Sequence, residues 1–460
     1  MQKTIISFKV NTNSSQLFRT RKILSVFIVS VILLISSVST AQHTINSLYS
    51  RYGIGDLVKK GFGQNRAMGG LAIGVRTPSH LNITNPASYS ALHMQTFTFD
   101  VGLSTKLMNY ETNSRSQPNR TMNVSFLTMG FPITKWWFTS VGLLPYSKVG
   151  YNIETYNDSN IETIGTIERK FEGSGGLNQL YWGSSFRIHK KLSLGFNVSY
   201  LFGPLEHNDV TVIQHGIEVT TITNEDKYRI KDFHIGYGLQ FSHIFNEKYS
   251  IDLGVIFDNK NNIDTERTAY SFQSYFLNGR HLTYPYSLLQ VLDTLKAEIN
   301  DDGIEIPRNF GAGFTIRNGS KLMVGLDYSE QDWSKAVFFS KKDPALTKSS
   351  TIAFGAQIIP QAGSPSYFKN IRYRFGGHYS KTYYNIPLKG EFAGQNENLK
   401  EFGISFGLGL PTRTSRTIYN LAVEFGQRGT TDYNLLLEEY VIITLNLSLQ
   451  DVWFIKRKFH

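Results

Sequence analysis

A chain of 460 residues with 47 Lys and Arg against 36 Asp and Glu, and with no cysteine, cannot be a disulfide scaffold, a thiolate metal centre, a thiol enzyme or a lipoprotein anchored on an N-terminal cysteine. The formal net charge of +11 is spread along the whole chain. It is too diffuse to argue for nucleic acid as a partner.

The chain opens on Arg19, Arg21 and Lys22, an apolar run from Ile23 to Val38, and the small residues Ser39, Thr40 and Ala41. This is the order of a secretory leader, so residues 1–41 read as a signal peptide and the mature chain is expected to begin near Gln42. The leader holds Lys3 and Lys9 besides those three cations and no acid, so the mature charge falls to +6. No later stretch approaches ~18 uninterrupted apolar residues, so a membrane-embedded mature chain has to be a β-barrel. The absence of a Pro/Ser-rich linker in the middle favours one large domain over two.

Residues 42–92 are Gly-rich and irregular, with Arg51-Tyr52-Gly53-Ile54-Gly55-Asp56, then Gly61-Phe62-Gly63-Gln64-Asn65-Arg66-Ala67-Met68-Gly69-Gly70, then Asn85-Pro86-Ala87-Ser88. Some fifty residues are few for a domain with its own core and suit a plug within a barrel. Residues 93–460 alternate with the period of two that places successive side chains on opposite faces of a strand. Phe233, Ile235, Tyr237, Leu239 and Phe241 alternate with His234, Gly236, Gly238, Gln240 and Ser242; Leu192 to Phe202 and Val441 to Leu449 repeat the pattern. The apolar set is expected to face lipid and the small or polar set the lumen. Gly102, Gly236, Gly238 and Gly254 fall on the lumen side, either making room for a plug or relieving crowding in a twisted wall.

Fourteen strands are expected near 96–108, 121–131, 136–147, 177–188, 192–203, 228–245, 250–258, 308–316, 321–330, 350–360, 371–380, 402–410, 417–426 and 436–449. Tight connections at 132–135, 189–191, 246–249 and 317–320 alternate with long ones, the rhythm of an outer-membrane barrel with short periplasmic turns. The segments 209–222 and 266–276 have strand composition and either lengthen neighbouring strands above the membrane or raise the count to sixteen. Trp136, Trp137 and Phe138, with Trp453 and Phe454, suit a headgroup girdle or ordinary aromatic packing.

Arg66-Ala67-Met68-Gly69-Gly70 followed by Asn85-Pro86-Ala87 resembles the N-terminal hatch of the long-chain fatty-acid transporter (FadL) family of outer-membrane barrels. Val141-Gly142-Leu143-Leu144-Pro145-Tyr146 is similar to that family's kinked third strand. Ile306-Pro307-Arg308-Asn309-Phe310-Gly311, Gly325-Leu326-Asp327-Tyr328, Asp332-Trp333-Ser334 and the Gly-rich run Phe402 to Gly409 follow in the family's order. The chain departs from the pattern in its Tyr-rich start, Leu48 to Tyr52, and in Pro145-Tyr146-Ser147 where Pro-Phe-Gly is usual. The resemblance implies passive transport: an apolar molecule enters at the outer loops, passes a pocket above the hatch and leaves sideways into lipid. Hatch residues would be Arg66, Gly69, Gly70, Asn85, Pro86 and Ala87. The lateral gate would be Gly142, Pro145 and Tyr146, because proline cannot donate a ladder hydrogen bond; otherwise Pro145 simply ends the strand at the rim. Arg51, Arg66 and Arg76 would either hold a substrate carboxylate or tie the hatch to acids on the wall.

Other chemistry is not supported. Gly61-Phe62-Gly63 has Arg66 where a dinucleotide fingerprint needs its third glycine, and no histidine pair has zinc spacing. Asp301-Asp302-Gly303 with Glu305 lacks the rest of a calcium loop. No Ser and His spacing singles out a hydrolase. The expectation is a plugged, fourteen-stranded, all-β outer-membrane barrel without cofactor or metal, not an enzyme, contacting outer-membrane lipid and a hydrophobic substrate. The rival is a non-transporting barrel acting as an accessory or interaction subunit of a secretion complex. A filled apolar lumen or an unbroken wall would favour that rival.

Overall fold

A computed structural model of the chain describes residues 47–158, 166–215, 218–277, 291–338, 341–388, 390–413 and 415–452. The expected leader and the pair Trp453 and Phe454 lie outside them. Strand β1 (Asp56–Leu57) belongs to the N-terminal segment. It is followed by β2 (Thr96–Glu111), β3 (Ser116–Pro132), β4 (Trp137–Pro145), β5 (Ser147–Asp158), β6 (Thr166–Gly175), β7 (Asn178–His189), β8 (Leu192–His215), β9 (Glu218–Ile244) and β10 (Tyr249–Asp258). Then come β11 (Asn261–Leu277), β12 (Val291–Ile306), β13 (Asn309–Asn318), β14 (Leu322–Asp332), β15 (Val337–Phe338), β16 (Lys341–Lys342), β17 (Lys348–Ile358), β18 (Arg372–Pro387), β19 (Asn396–Pro411), β20 (Ile418–Gly429) and β21 (Leu437–Val452).

Fourteen of these form a closed antiparallel barrel: β2, β3, β4, β7, β8, β9, β10, β13, β14, β17, β18, β19, β20 and β21. Closure comes from β2 against β21, in register from Thr96 with Val452 to Glu111 with Leu437. Closing the ladder removes the edges of the sheet, which hydrocarbon requires, except where β3 runs past the end of β4. Side chains follow the expected alternation. On β9, Phe233, Ile235, Tyr237, Leu239 and Phe241 are exposed on the outer face, while His234 and Gln240 are buried within. On β21, Leu445 and Leu449 point out, and Thr444, Asn446, Ser448 and Gln450 are buried. This apolar belt fits a barrel set in an outer membrane. Leu239→Arg, near the middle of the belt, is expected to destabilise the barrel by about 2–4 kcal/mol. Chemical denaturation in lipid vesicles measures it.

Two details differ from the sequence reading. Short connections are not confined to one end, because β2 and β3 extend until only residues 112–115 join them, whereas 359–371 at the opposite end runs long. The strand-like segments beyond the wall do not add barrel strands. Instead β5 pairs with β6, β6 with the upper part of β8, β8 with β9, the upper part of β9 with β11, and β11 with β12. These strands make a six-stranded sheet rising from the end that carries the long connections, taken as the outer end.

The N-terminal segment packs against inward-facing groups of many wall strands. Asp327 of β14 accepts hydrogen bonds from the backbone N–H of Ala72 and Ile73, each at 2.6 Å, and of Gly74 at 3.3 Å. Close approach at Gly254 and Gly238 explains two of the lumen glycines: a Cβ there would collide with Ile73 O and with Asn85 and Pro86. Gly102 instead accommodates the Phe126 ring, and Gly236 the Asp258 carboxylate.

Candidate functional site

The two parts of the hatch motif meet different strands of the wall, Gly69 meeting β18 and β19 and Asn85 meeting β9. Asn85 caps the turn Pro86–Ala91 through its side-chain oxygen, which accepts from Ala87 N–H, and its amide donates to Ile73 O at 2.9 Å and Leu239 O at 3.3 Å. Gly69 has φ +68 and lies so close to the Gly377 backbone that a side chain would collide; its N–H donates to Ser405 Oγ at 2.7 Å. Gly70 has φ +91 and open space beside it.

The three arginines have different surroundings. Arg51 lies over the Phe171 and Tyr52 rings, 5.0 and 5.5 Å from their centroids. Arg76 donates to Ala87 O and Gln240 Oε1, and burial pushes it down to about 10. Arg66 makes no side-chain hydrogen bond to the described residues, and its buried Nε has no partner. None of the three forms an ion pair to the wall among the described residues.

The ion pairs between segment and wall are made by residues the motif reading passed over. Arg428 of β20 holds Asp56 through two contacts, 2.6 and 3.3 Å, and Glu438 of β21 through Nε at 2.9 Å and Nη2 at 2.5 Å. Ser47 Oγ donates to the other Glu438 oxygen at 2.7 Å. Lys59 Nζ lies 2.6 Å from Glu401 and 3.1 Å from Glu424, and 2.7 Å from His378 Nε2. Lys60 reaches Asp258 at 3.2 Å. A usable signal was present: Asp56, Lys59 and Lys60 are charges close together in an irregular segment, and Glu401, Glu424 and Arg428 break the small-polar pattern of inward positions on late strands.

His378, Glu401 and Glu424 bring one ligand atom each within 4.8 Å of one another, a set able to hold a metal ion. The Lys59 ammonium sits among them and supplies the positive charge. Burial acts to lower Lys59, but attraction to Glu401 and Glu424 outweighs it and raises the group above its ordinary 10.5. For Asp56, burial acts to raise the carboxyl, yet Arg428 and Lys106 hold it below its ordinary 3.8. The Lys59 contribution is therefore complete below the ordinary lysine value and lost only as pH rises through the raised one. The Asp56 contribution is complete above the ordinary carboxyl value and lost only as pH falls through the depressed one. Hydrogen-exchange protection of residues 47–70 is expected to stay constant between about pH 5 and 9.

The buried His80 touches Ser448 Oγ at 3.0 Å. Asp100 bonds to that serine rather than to the histidine, the wrong order for a hydrolytic triad. Arg372 lies 3.3 Å from the other ring nitrogen. Burial, with Arg372 and Arg374, lowers the imidazole well below its usual range.

Above the Lys59 cluster the lumen is filled. Tyr49, Tyr146, Tyr151, Trp333, Tyr383 and Tyr384 pack with Ile54, Leu177, Leu201, Ile230 and Ile306 in one buried cluster. Trp333 and Tyr383 have ring centroids 5.0 Å apart, and Tyr383 and Tyr384 4.3 Å. Below this cluster lie two cavities, of about 280 and 130 Å³, sharing Asp56, Lys59, Lys60, Glu401 and Arg428 in their linings. The aromatic cluster thus lies over cavities whose lining mixes these charges with apolar residues such as Leu57, Val58, Pro145 and, in the larger, Ile73 and Ile256.

The wall is not paired throughout. β4 follows β3 only up to Leu143 opposite Leu127, then ends at Pro145, which lies opposite Asn178 of β7. Tyr146 and Ser147 turn to donate to Leu177 O, at 2.7 and 3.1 Å, and β5 then takes β1 as a partner, Leu57 opposite Ser147. Thr121 to Phe126 of β3 therefore have no ladder partner but β2 among the described residues. Gly142 faces inward beneath this opening, against Thr128 and the Tyr181 ring.

Solved structures with this fold include a toluene transporter of Ralstonia pickettii, TbuX (13% identity, covering 86% of this chain and 99% of that one, TM-score 0.53). The toluene transporter TodX of Pseudomonas putida gives 15% identity, 86% and 100% coverage and a TM-score of 0.55. A FadL homologue from Pseudomonas aeruginosa gives 10%, 87%, 100% and 0.54. At these identities the likeness establishes the FadL-like fold alone. No curated protein matches the chain. The family model described as BamG matches residues 21–460, nearly the whole length, and the chain belongs to the BamG family.

Proposed function

We propose that this chain is an outer-membrane barrel that does not transport, and that it serves as an accessory or interaction subunit of an outer-membrane secretion complex. The observation that carries this reading is the filled outer lumen, where Trp333, Tyr383 and Tyr384 occupy the space an apolar substrate would need. An apolar molecule entering the cavities beneath would meet the charges of Asp56, Lys59, Lys60, Glu401 and Arg428 beside their apolar lining, and stripping water from those charges costs free energy. The N-terminal segment then acts as a permanent plug, with Asp56, Lys59 and Lys60 as its anchors. The six-stranded sheet above the rim offers partners a broad, structured surface.

A second reading has one observation in its favour. The unpaired β3 edge beside Pro145 is where lateral release of a hydrophobic molecule would occur, with Gly142, Pro145 and Tyr146 as the gate, and the neighbours of this fold are named as hydrocarbon transporters. The two readings separate in a locked protein. Leu57→Cys with Ser147→Cys, directly opposed across the β1–β5 pair, would tie plug to wall by a disulfide. On the proposed reading, cells carrying the unlocked protein take up toluene across their outer membrane no faster than cells without it, and the oxidised variant restores a deletion strain as well as the wild type does. Rapid toluene entry through the unlocked barrel, abolished by oxidation, would establish transport instead.

A further inference from the structure

The smaller cavity carries more positive charge than the network around it neutralises. Six cations line it against three carboxylates, and Glu438 and Asp258, which pair with two of those cations from outside the lining, leave the acids one charge short. Lys59 is matched by Glu401 and Glu424, Arg428 by Asp56 and Glu438, and Lys60 by Asp258. Arg66, Lys106 and Lys148 are left over. Arg66 has no hydrogen-bonded side-chain partner, and its Nε is buried. Lys106 stands 4.0 Å from an Asp56 already held by Arg428. Lys148 makes no ion pair with the described residues. Unpaired cations sheltered from bulk water are costly unless an anion joins them.

A second feature of the same cavity points the same way. Thr121, on the unpaired edge of β3, is 3% exposed and lines the cavity, and its buried Oγ1 has no hydrogen-bond partner among the described residues. A buried hydroxyl with no acceptor calls for a ligand oxygen or water. Access is provided by the opening itself, since Thr121, Asn123, Pro145 and Lys148 all line the cavity. On the outer side of that edge, Met122 and Val124 are 63% and 61% exposed, an apolar surface on which acyl chains can lie.

We propose that this cavity binds the phosphate of an outer-membrane lipid, held by Arg66, Lys106 and Lys148 with the Thr121 hydroxyl, while the lipid's chains cover the gap between β3 and β5. Three cations around one site suit a phosphate oxyanion, with charge-assisted hydrogen bonds from the guanidinium and ammonium groups. The bound lipid completes the wall where β4 has left it. The inference does not depend on whether the barrel transports.

The test uses full-length protein purified in a non-ionic, phosphate-free detergent. Native mass spectrometry and phosphorus analysis of a solvent extract are compared for wild type, Lys148→Gln, and Arg66→Gln with Lys148→Gln. Lys148 has no ion pair to lose, so its replacement leaves the fold intact, which the heat-modifiable mobility of the barrel verifies. The expected result is about one phosphorus-containing lipid per wild-type chain, with retention at least about tenfold weaker in the double variant. Delipidated wild type should regain a lipid from phosphatidylglycerol micelles and ignore inorganic phosphate at equal concentration. A wild type that neither carries nor regains lipid, or equal retention by folded variants, would overturn the proposal. Binding of inorganic phosphate as tight as that of phosphatidylglycerol would overturn the lipid as its source.

Discussion

Arg428→Met is expected to cost about 3–5 kcal/mol, because it removes one partner of a buried ionic cluster and leaves the others behind. Glu438 has no exposed side-chain surface and would keep only Ser47 of its hydrogen-bond donors, while Asp56 would keep only the distant Lys106. The methionine stem fills most of the vacated volume, so packing contributes little and the effect reports the charge. Protection of residues 47–60 against hydrogen exchange should fall together with global stability. Loss of that protection while the barrel retains its melting temperature would mean that the plug and wall unfold independently. Arg428→Met with Glu438→Gln should recover part of the loss, because one of the stranded charges is gone.

Trp333→Ala is the second large effect, expected at about 3–5 kcal/mol. The indole is wholly buried against Tyr383 in the cluster that fills the outer lumen. Its Nε1 has no partner, so removing that N–H offsets a small part of the loss. The variant also tests why the lumen is closed. An apolar cavity of this kind stays dry and accepts small hydrophobic molecules, so Trp333→Ala is expected to bind toluene where the wild type does not. Saturation-transfer NMR with toluene in detergent reads this directly. Equal binding by both proteins would show that the cluster already yields to an apolar guest, and would return the balance to transport.

Much of the architecture was legible because a membrane wall imposes one rule on every strand. Lipid on one side and a plugged lumen on the other force strict alternation, and Phe233 to Ser242 display it without interruption. Asn85-Pro86-Ala87 and the glycines before it stood out by their resemblance to the FadL-family hatch rather than by alternation. Alternation gave no information about height. Thr, Val and Ile continue along 209–222 and 266–276 whether or not a bilayer surrounds them, so the sequence left open whether these segments join the wall or rise above it, and in β8, β9 and β11 they rise above it.

The site was less legible, for a different reason. Arg51, Arg66 and Arg76 drew notice because a cation in a plug invites an anion, yet the wall supplies its carboxylates elsewhere, at Glu401 and Glu424 for Lys59 and at Asp258 for Lys60. Pairing across 198 to 365 residues depends on where the segment threads, and charge order along the chain does not encode that.

By itself the sequence determined the barrel and the face each residue presents, and narrowed the strands to fourteen or sixteen, because those follow from local periodicity and from the exclusion of unpaired backbone from lipid. The tertiary structure alone decided that the outer lumen is filled by aromatic rings, that the plug is anchored through Asp56, Lys59 and Lys60, and that β3 runs unpaired beside Pro145. These are matters of which distant side chains share one volume, and that volume exists only once the sheet has closed.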